Sequence, residues 1–515
     1  MSVFGLHPID LGVLILYLAG CTWLGARIAS GSGGQGLKGY FLGESNIPAW
    51  AVMISIVATE TSAVTFLSVP GSSATPKGDM TFLQMALGYI LARVVVTVML
   101  LPSYFKGEIY TAYQVLEKRF GGGTQKAASV LFLVARTLAS GLRLYLAALV
   151  LQKITEWNLS ASIAVIGVAT LLYTYLGGIK AVVWIDVIQF GIYLIAAGAA
   201  MVILVRQIPG GWEEIWTRGM AAGKFRVINF GFDGVARPHS IADAWHAFYG
   251  MLGQSYTFWA GVIGALVLDT STHGADQMMV QRYLTARSER QAGWALIGSG
   301  FVILTQFALF LAIGVGLWVL YQDQPPRTPL VKNDEFFPYF IVNYLPRGLL
   351  GLVIAAVFSV TMSTVSGALS ASASSTVNDI YRPLFPQSDE RHLLRVSKGM
   401  TAFWAVVQMI VALAAERMSN SVIDNALAIA SFVTGLLLGL FLLGLWTRDV
   451  GQRAAFVGLL AGTAAVSAVA FGTQVAYPWY ALVGSGTVVL VGLLSSLILP
   501  EAPAPPAAEP EWSRS

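Results

Sequence analysis

The chain has 515 residues, of which 56% are hydrophobic and only 11% are charged. A soluble domain carries roughly 25% charged residues, so most of this chain's surface must face something other than water, which excludes a soluble protein of several domains. The net charge of +4 is too small to indicate nucleic-acid binding, and the single cysteine, Cys21, excludes an intramolecular disulfide.

Apolar stretches recur along the chain, and each is long enough to cross a bilayer as a helix of about 20 residues. They are too long and too uniformly apolar for barrel strands, so we predict an all-α polytopic membrane protein with about thirteen transmembrane helices. The first stretch has no Lys or Arg before it, which favours a retained helix over a signal peptide. The predicted spans are 8–28, 47–70, 80–103, 127–151, 158–177, 181–205, 244–270, 293–320, 347–377, 399–416, 421–446, 454–472 and 479–499.

Lys and Arg residues are concentrated in alternate connections between these spans. Positive charges in such connections indicate membrane topology, and Arg282, Arg287 and Arg290 fit that role as well as any other. The positive-inside rule then predicts the N-terminus outside and the C-terminus in the cytoplasm, with the longest loop, 206–243, on the outside. We expect the plasma (inner) membrane as the location.

No Walker-type phosphate loop is present, which disfavours ATP-driven transport. The tail 500–515 is rich in Pro, Ala and Glu and is predicted to be disordered.

Two predicted spans contain polar interruptions, one at 55–65 and one at 268–276. Paired interrupted spans indicate the midplane site of a transporter built from inverted repeats. The spacing therefore predicts two inverted five-helix repeats. The predicted organisation is an extra N-terminal helix and loop at 1–46, a first repeat at 47–205, the loop at 206–243, a second repeat at 244–446, extra C-terminal helices at 447–499 and the tail.

The ninth span is rich in hydroxyl groups, with ten Ser or Thr residues between 359 and 376. Ser359, Ser363, Ser366 and Ser370 fall on one helical face. Hydroxyl and carbonyl oxygens are ligands suited to an alkali cation, whereas small hydroxyl residues can also simply allow close helix packing. An interrupted second span offers free carbonyl groups nearby, which favours the cation site.

Two acidic residues at membrane depth have alternative interpretations. Asp186 either completes a second cation site, relays a proton, or lies near the cytoplasmic end of its span. Glu60 either contacts the solute or a gate, or forms a structural ion pair with Arg136, Arg143 or Arg93.

Other polar residues are candidates for solute binding. Arg136 and Arg143 share one face of the fourth span, and such a guanidinium can form two hydrogen bonds with a solute carboxylate or pair with Glu60. Gln84 either binds the solute or joins two helices. We expect four further polar residues to line the break in the seventh span: Asp269, Thr270, Thr272 and His273. No His, Cys and carboxylate pattern has transition-metal spacing.

Several passages together resemble the sodium/solute symporter family, which includes sodium–glucose, sodium–sialic acid, sodium–monocarboxylate and sodium–iodide carriers. They cover nearly all of the first eleven spans in the family's order. The passages are 40–43 (YFLG), 48–50 (PAW), 55–71, 109–111 (IYT) with 116–121 (LEKRFG), 177–182 (GGIKAV) with Asp186 and Gln189, 276–277 (DQ), 280–284 (VQRYL), 363–366 (STVS) and 379–381 (DIY).

The resemblance implies a leucine-transporter-like 5+5 inverted repeat and a set of binding residues. It implies a sodium site formed by carbonyls of the broken helix and hydroxyls of the Ser-rich helix, at Ala58, Thr61, Val360, Ser363 and Thr364. It also implies a second sodium site, seen in some members, at Asp186, Ser363, Ser366 and Gly367, although Gly367 lacks the hydroxyl of the two-sodium members. The implied solute-binding residues are Glu60, Thr65, Gln84, Arg136 and Asp269.

These observations together predict a secondary active symporter rather than an enzyme. It would couple inward Na+ movement to uptake of a small polar organic solute of the sugar, sialic acid or carboxylate type by alternating access. We expect no cofactor apart from Na+ as the transported ion. The expected partners are Na+, the solute and the lipid bilayer, with no nucleic acid and no obligate protein partner. The alternatives are a proton-coupled carrier and a solute-binding channel or sensor.

Overall fold

The computed structural model describes residues 6–31, 36–107, 109–233, 239–418 and 420–499. Within these ranges the regular structure is helical, and β pairing is confined to isolated bridges such as that between Ile47 and Ala286. The predicted tail 500–515 lies outside the described residues.

The first half of the chain forms ten helices in the described ranges. They are α1 (Pro8–Gly31), α2 (Leu37–Leu42), α3 (Ala49–Glu60), α4 (Ala63–Ala74), α5 (Leu83–Val95), α6 (Leu101–Tyr104), α7 (Tyr113–Phe120), α8 (Gly122–Thr155), α9 (Leu159–Gln207) and α10 (Gly211–Ala221). The remaining helices are α11 (Ile241–Leu252), α12 (Ala265–Ala275), α13 (Gln277–Leu284), α14 (Glu289–Asp323), α15 (Asn333–Tyr344), α16 (Leu349–Ser375), α17 (Arg382–Leu384), α18 (Glu390–Ala415), α19 (Asn420–Trp446), α20 (Gln452–Gly472) and α21 (Tyr480–Ile498).

Nine helices in the described ranges are long and apolar enough to cross a membrane, and a bent pair raises this number to ten. One of the nine, α9, has 49 residues. A straight helix of that length would extend about 73 Å, more than twice the hydrocarbon thickness. The backbone at Gly178 is non-helical, with φ 57° and ψ −155°, and a Cβ there would clash with the Tyr40 carbonyl oxygen. This glycine separates the two spans that the sequence predicts at 158–177 and 181–205.

The predicted interruption of the second span is confirmed. Helix α3 ends at Glu60, α4 begins at Ala63, and their axes are bent by 70°. Ser62 caps α4 by accepting a hydrogen bond from the Thr65 amide at 3.2 Å. Thr61 has extended dihedrals, with φ −75° and ψ 114°. Because the helical ladder stops here, carbonyl groups at the end of α3 are free for other ligands.

The second interruption falls at the end of the predicted stretch 268–276. Asp269, Thr270, Thr272 and His273 lie within the continuous helix α12 and do not line a break. The break falls at Asp276, with φ −90° and ψ 119°, and its carboxylate caps α13 by accepting from the Met278 amide at 2.8 Å. The Thr272 hydroxyl donates to the Leu268 carbonyl at 3.1 Å within the same helix. Its polar group is therefore satisfied without breaking the helix.

Helix α16 lies at the centre of the bundle. Its side chains from Val353 to Ser375 are buried, and it packs against α9, α8, α18, α1 and α3. The hydroxyl groups of this helix therefore face other helices. This places them where they can form part of an internal site.

Candidate functional site

The Thr364 hydroxyl lies among carbonyl groups from two helices. Its Oγ1 is 3.2 Å from the Thr59 carbonyl oxygen, 3.5 Å from that of Thr61 and 3.0 Å from that of Val360. Thr59, Thr61, Val360 and Thr364 are all buried. Unwound carbonyls beside a hydroxyl are the groups that coordinate Na+ in transporters with broken helices. We refer to these four residues as the carbonyl cage.

Two of the predicted sodium ligands, Ala58 and Ser363, are not members of the carbonyl cage. Ala58 is fully buried, and the carbonyl of the following residue, Thr59, is the one in contact with Thr364. The hydroxyl of Ser363 donates to Asp186 Oδ1 at 2.6 Å. The sequence analysis named carbonyls of the broken helix at Ala58 and Thr61 but not that of Thr59, because which carbonyls are free depends on the residue at which α3 ends.

Asp186 lies at a junction of four helices and is completely buried. Its Oδ2 accepts from the Ser55 hydroxyl at 2.5 Å, from the Thr59 hydroxyl at 3.3 Å and from Arg282 Nη2 at 3.2 Å. The Asp186 carboxylate is therefore enclosed by the helix bundle. The sequence around Arg282 is consistent with a topology signal, and nothing local marks it as a partner of a residue 96 positions earlier.

The residues of the implied second sodium site do meet in space, but Arg282 lies among them. A Cβ on Gly367 would lie 2.7 Å from Arg282 Nη2 and 3.1 Å from Nη1. The Ser366 hydroxyl donates to the Ser363 carbonyl of its own helix at 3.0 Å. The guanidinium of Arg282 therefore occupies the space beside the Asp186 carboxylate.

A cavity of about 450 Å³ lies beside the break in the second span. Its size suits a small organic molecule. It is lined by four of the five predicted solute-binding residues. The polar groups on its walls include Glu60, Thr65, Arg136, Arg143, Asp269 and Thr272.

The fifth predicted residue, Gln84, is completely buried and does not line this cavity. Its Nε2 donates to the carbonyls of Thr81 and Tyr256, both at 3.1 Å, and its Oε1 accepts from the Asn229 amide at 3.0 Å. All of its polar atoms therefore have protein partners. The structure favours the alternative in which Gln84 joins elements of the fold.

The acidic wall of the cavity is held by Arg93. Its Nη2 donates to Glu60 at 2.5 Å, its Nε to Asp269 at 3.4 Å and its Nη1 to Ser299 at 2.7 Å. His273 Nδ1 lies 3.0 Å from Asp269 Oδ1. Of the three ion-pair partners considered for Glu60, the structure selects Arg93.

The structure also groups Glu60, Asp269 and His273 closely enough for their side-chain ligand atoms to lie within 4.8 Å of one another. Sequence spacing did not reveal this group, because Glu60 belongs to a different span. The Arg93 guanidinium already pairs with both carboxylates, so a metal ion would have to compete with a fixed cation. The group is therefore better described as a buried ion-pair network.

The two arginines of α8 have different environments. Arg136 forms an ion pair with Asp276, the residue at the break between α12 and α13. Arg143 is partly buried and lines the cavity, and it has no hydrogen-bond or ion-pair partner in the described ranges. Arg143 also borders a small recess with Ser62, Thr361 and Thr364, next to the carbonyl cage. It is the cavity guanidinium that is available to a ligand.

The sequence matches the model of the sodium:solute symporter family over residues 40–462. Human sodium-coupled monocarboxylate transporter 1 is 32% identical over 484 residues, covering 92% of this chain and 76% of that protein. The human sodium/iodide cotransporter is 29% identical over 483 residues, covering 91% of this chain and 70% of that protein.

A solved structure shows that the similarity to sodium-coupled transporters extends to the fold. A substrate-bound, outward-open Na+-coupled sialic acid symporter superposes with a TM-score of 0.84 at 28% identity, covering 98% of this chain and 100% of that chain. These relatives are transporters. The chain therefore belongs to the sodium:solute symporter family, and it is a sodium-coupled solute symporter.

Proposed function

We propose that the solute is a small organic anion with a single carboxylate group, and that inward Na+ movement drives its uptake. The observation that carries this proposal is Arg143, a guanidinium on the wall of the cavity without a protein partner in the described ranges. A guanidinium matches the two oxygens of a carboxylate with two parallel hydrogen bonds. In a partly buried site such a pair is a strong, oriented anchor.

The position of Arg143 supplies a physical basis for coupling. The recess that it borders also includes Thr364, whose hydroxyl belongs to the carbonyl cage. We assign Na+ to this region, with ligands from Ala58, Thr59, Thr61, Val360, Ser363 and Thr364. A carboxylate on Arg143 would then lie next to the Na+. Opposite charges close together in a weakly screened site stabilise each other, so each ligand raises the affinity for the other.

The acidic wall supports a solute with one negative charge rather than two. Glu60 and Asp269 line the cavity, and Arg93 is the cation that contacts both. A second carboxylate on the solute would face these two acidic groups and be repelled. A hydroxyl or other hydrogen-bond donor could instead donate to Glu60. We assign contacts with the polar part of the solute to Glu60, Thr65 and Asp269.

Arg136 has a different role in this proposal. Its ion pair with Asp276 joins α8 to the break between α12 and α13. We assign it to holding that break in position rather than to binding the solute.

The relatives support an anionic solute, since one is named for monocarboxylates, another for iodide and a third for sialic acid.

The arrangement that we propose in the membrane follows the sequence analysis. Thirteen spans would comprise two inverted five-helix repeats at 47–205 and 244–446, an extra N-terminal helix and extra C-terminal helices. The N-terminus would lie outside the plasma (inner) membrane and the C-terminus in the cytoplasm. Na+ would bind first and order the break between α3 and α4, and the solute would bind beside it before the protein opens inward.

Uptake into proteoliposomes tests the proposed solute class. With an inward Na+ gradient, labelled propionate or lactate should accumulate above the external concentration, and choline in place of Na+ should abolish this. Glucose, iodide and succinate serve as neutral, inorganic and dicarboxylate comparisons. Accumulation of glucose, but not of any monocarboxylate, would show that the proposed solute class is wrong.

A further inference from the structure

We propose that Gln306 is a positioning residue for Na+ binding, because its amide holds the break between α3 and α4 in the shape that the carbonyl cage needs. The inference rests on the proposed place of Na+ in that cage. Gln306 lies on α14 and belongs neither to the cage nor to the passages by which the sequence resembles the family. It acts on the ion only through Thr61.

A directed chain of hydrogen bonds joins three elements of the bundle at the break. The Tyr193 hydroxyl of α9 donates to Gln306 Oε1 at 2.8 Å, and Gln306 Nε2 donates to the Thr61 hydroxyl at 2.9 Å. The Thr61 hydroxyl donates in turn to the Val57 carbonyl at 2.9 Å. All four residues are buried, so water does not compete for these hydrogen bonds, and a group that lost its partner would be left unsatisfied.

Thr61 depends on such a support because it stands between two helices. Its amide donates to the Val57 carbonyl at 3.0 Å and closes α3, whereas its own dihedrals are extended, with φ −75° and ψ 114°. The Thr61 carbonyl lies 3.5 Å from the Thr364 hydroxyl in the cage. Fixing the Thr61 side chain therefore also fixes the direction in which this carbonyl points.

Tyr193 contacts both halves of the broken helix. Its hydroxyl lies 3.5 Å from Thr61 Oγ1, and its ring packs edge-to-face on Phe66 of α4 with the centroids 6.3 Å apart. Phe66 also packs edge-to-face on Phe310 of α14 at 5.5 Å. Aromatic contacts thus hold the start of α4, and the amide of Gln306 links the end of α3 to the same two helices, α9 and α14.

The consequence for transport is preorganisation of the cage. When the Thr61 carbonyl is already in place, binding free energy is not used to order the break. Without the Gln306 amide, only a fraction of molecules would present the cage correctly, and the apparent affinity for Na+ would fall by that fraction. The net loss of one intramolecular hydrogen bond corresponds to a change of roughly 2- to 10-fold.

Equilibrium binding of ²²Na+ to the purified full-length protein tests the proposal without any solute. Gln306→Met removes the amide at similar length, and Thr61→Val removes the hydroxyl but keeps the backbone carbonyl. Each should raise the Na+ concentration for half-saturation by roughly 2- to 10-fold. The double variant should lie within about twofold of the weaker-binding single variant, because both changes remove the same hydrogen bond. Thr305→Val, which removes a neighbouring exposed hydroxyl of α14, is the control and should bind Na+ like the wild type.

A positioning role differs from a purely structural one in what it moves. In proteoliposomes at saturating Na+, the KM for propionate of Gln306→Met should equal that of the wild type. A lower maximal rate with an unchanged Na+ dependence would show a structural role and overturn the proposal. So would a double variant whose shift is the product of the two single shifts. If Gln306→Met does not fold, Tyr193→Phe, which removes the hydrogen bond that orients the amide, should raise the half-saturating Na+ concentration, and an unchanged value would overturn the proposal.

Thr364→Ala separates this inference from the proposed function. If Thr364→Ala weakens Na+ binding and Gln306→Met does not, the cage stands and the role of Gln306 is wrong. If neither changes Na+ binding, both assignments are wrong. If the predicted shifts occur but no monocarboxylate is transported, the solute class is wrong while the role of Gln306 stands.

Discussion

Arg93 and Glu60 form an ion pair of 2.5 Å in the wall of the solute cavity, and the Arg93 side chain is completely buried. The same guanidinium contacts Asp269 at 3.4 Å, so one cation joins the end of α3 to α12. The acidic wall of the cavity thus depends on a residue that does not itself line it. This relationship has a direct consequence for stability.

Replacing Arg93 by Met should destabilise the protein strongly. Removing one partner of a buried ion pair leaves an uncompensated charge, which costs about 3–5 kcal/mol. The thermal unfolding temperature of the purified protein measures the effect. The double variant Arg93→Met, Glu60→Gln should recover part of the loss, because one of the two unpaired carboxylates is then neutral. A double variant that unfolds at or below the temperature of the single variant would contradict this view of the network.

Replacing Thr364 by Ala should weaken Na+ binding. The change removes the hydroxyl that lies among the carbonyls of Thr59, Thr61 and Val360. Losing one buried polar contact costs about 1–3 kcal/mol, so the Na+ concentration for half-maximal uptake should rise by roughly 5- to 150-fold. Initial uptake rates measured against Na+ concentration give this value.

Two further variants control for packing in the same helix. Thr364→Ser retains the hydroxyl and should keep a Na+ dependence close to that of the wild type. Ser370→Ala removes another buried hydroxyl of α16 that lies outside the carbonyl cage. Equal effects of Thr364→Ala and Ser370→Ala would mean that the cage does not bind Na+.

Replacing Arg143 by Gln should impair solute binding more than folding. The charge-assisted hydrogen bonds to a carboxylate are worth about 1.5–3 kcal/mol, so the KM for propionate should rise by roughly 10- to 150-fold. Arg143→Lys keeps the positive charge but cannot form the two parallel hydrogen bonds. Its KM for propionate should therefore lie between those of the wild type and Arg143→Gln. Because Arg143 has no protein partner in the described ranges, the unfolding temperature should change little. An unchanged KM in Arg143→Gln would remove this residue from the solute site.

Lys224 gives the loop after α10 a pH-dependent contribution to stability. Its side chain is 2% exposed, and its Nζ donates to the carbonyls of Thr75 at 2.5 Å and Gly78 at 2.9 Å. Burial lowers the pKa of Lys224 to about 8, although the nearby Asp79 carboxylate opposes this shift. A lysine in an unfolded chain has a pKa of about 10.4.

The sign of the effect follows from proton binding. Between about pH 8 and pH 10 the unfolded chain binds more protons at this lysine than the folded chain does, so this residue makes stability rise with pH. The unfolding temperature of the wild type relative to Lys224→Met should therefore increase from pH 7.5 to pH 9.5. Arg218→Met, which changes a partly exposed cation near the same loop, should show no such trend. A constant difference between wild type and Lys224→Met would contradict the lowered pKa.

The features that the sequence predicted well are those encoded by local composition. Apolar length indicated the membrane helices, and the polar stretch at 55–65 indicated the break between α3 and α4. The stretch 268–276 does contain a break, at Asp276, but the residues expected to line it lie within α12, because hydroxyl residues such as Thr272 can satisfy their polar groups within a continuous helix. A polar stretch therefore indicates where a helix can break, not that it does.

The features that the sequence left open are pairings between distant spans. Glu60 had three candidate partners, and only the packing of α5 beside the break selects Arg93. The sequence left the role of Arg282 open between a topology signal and other roles, whereas the fold buries it against Asp186. Carbonyl ligands such as that of Thr59 have no signature in residue type. Charge and hydroxyl content predict that an ion site exists, but which groups meet depends on helix packing.

The central claim is that Na+ in the carbonyl cage and a carboxylate on Arg143 stabilise each other. The most direct measurement is ²²Na+ binding to the purified protein with and without saturating propionate. Propionate should lower the Na+ concentration for half-saturation in the wild type and have no effect in Arg143→Gln. The same shift in both proteins, or no shift in the wild type, would contradict the account.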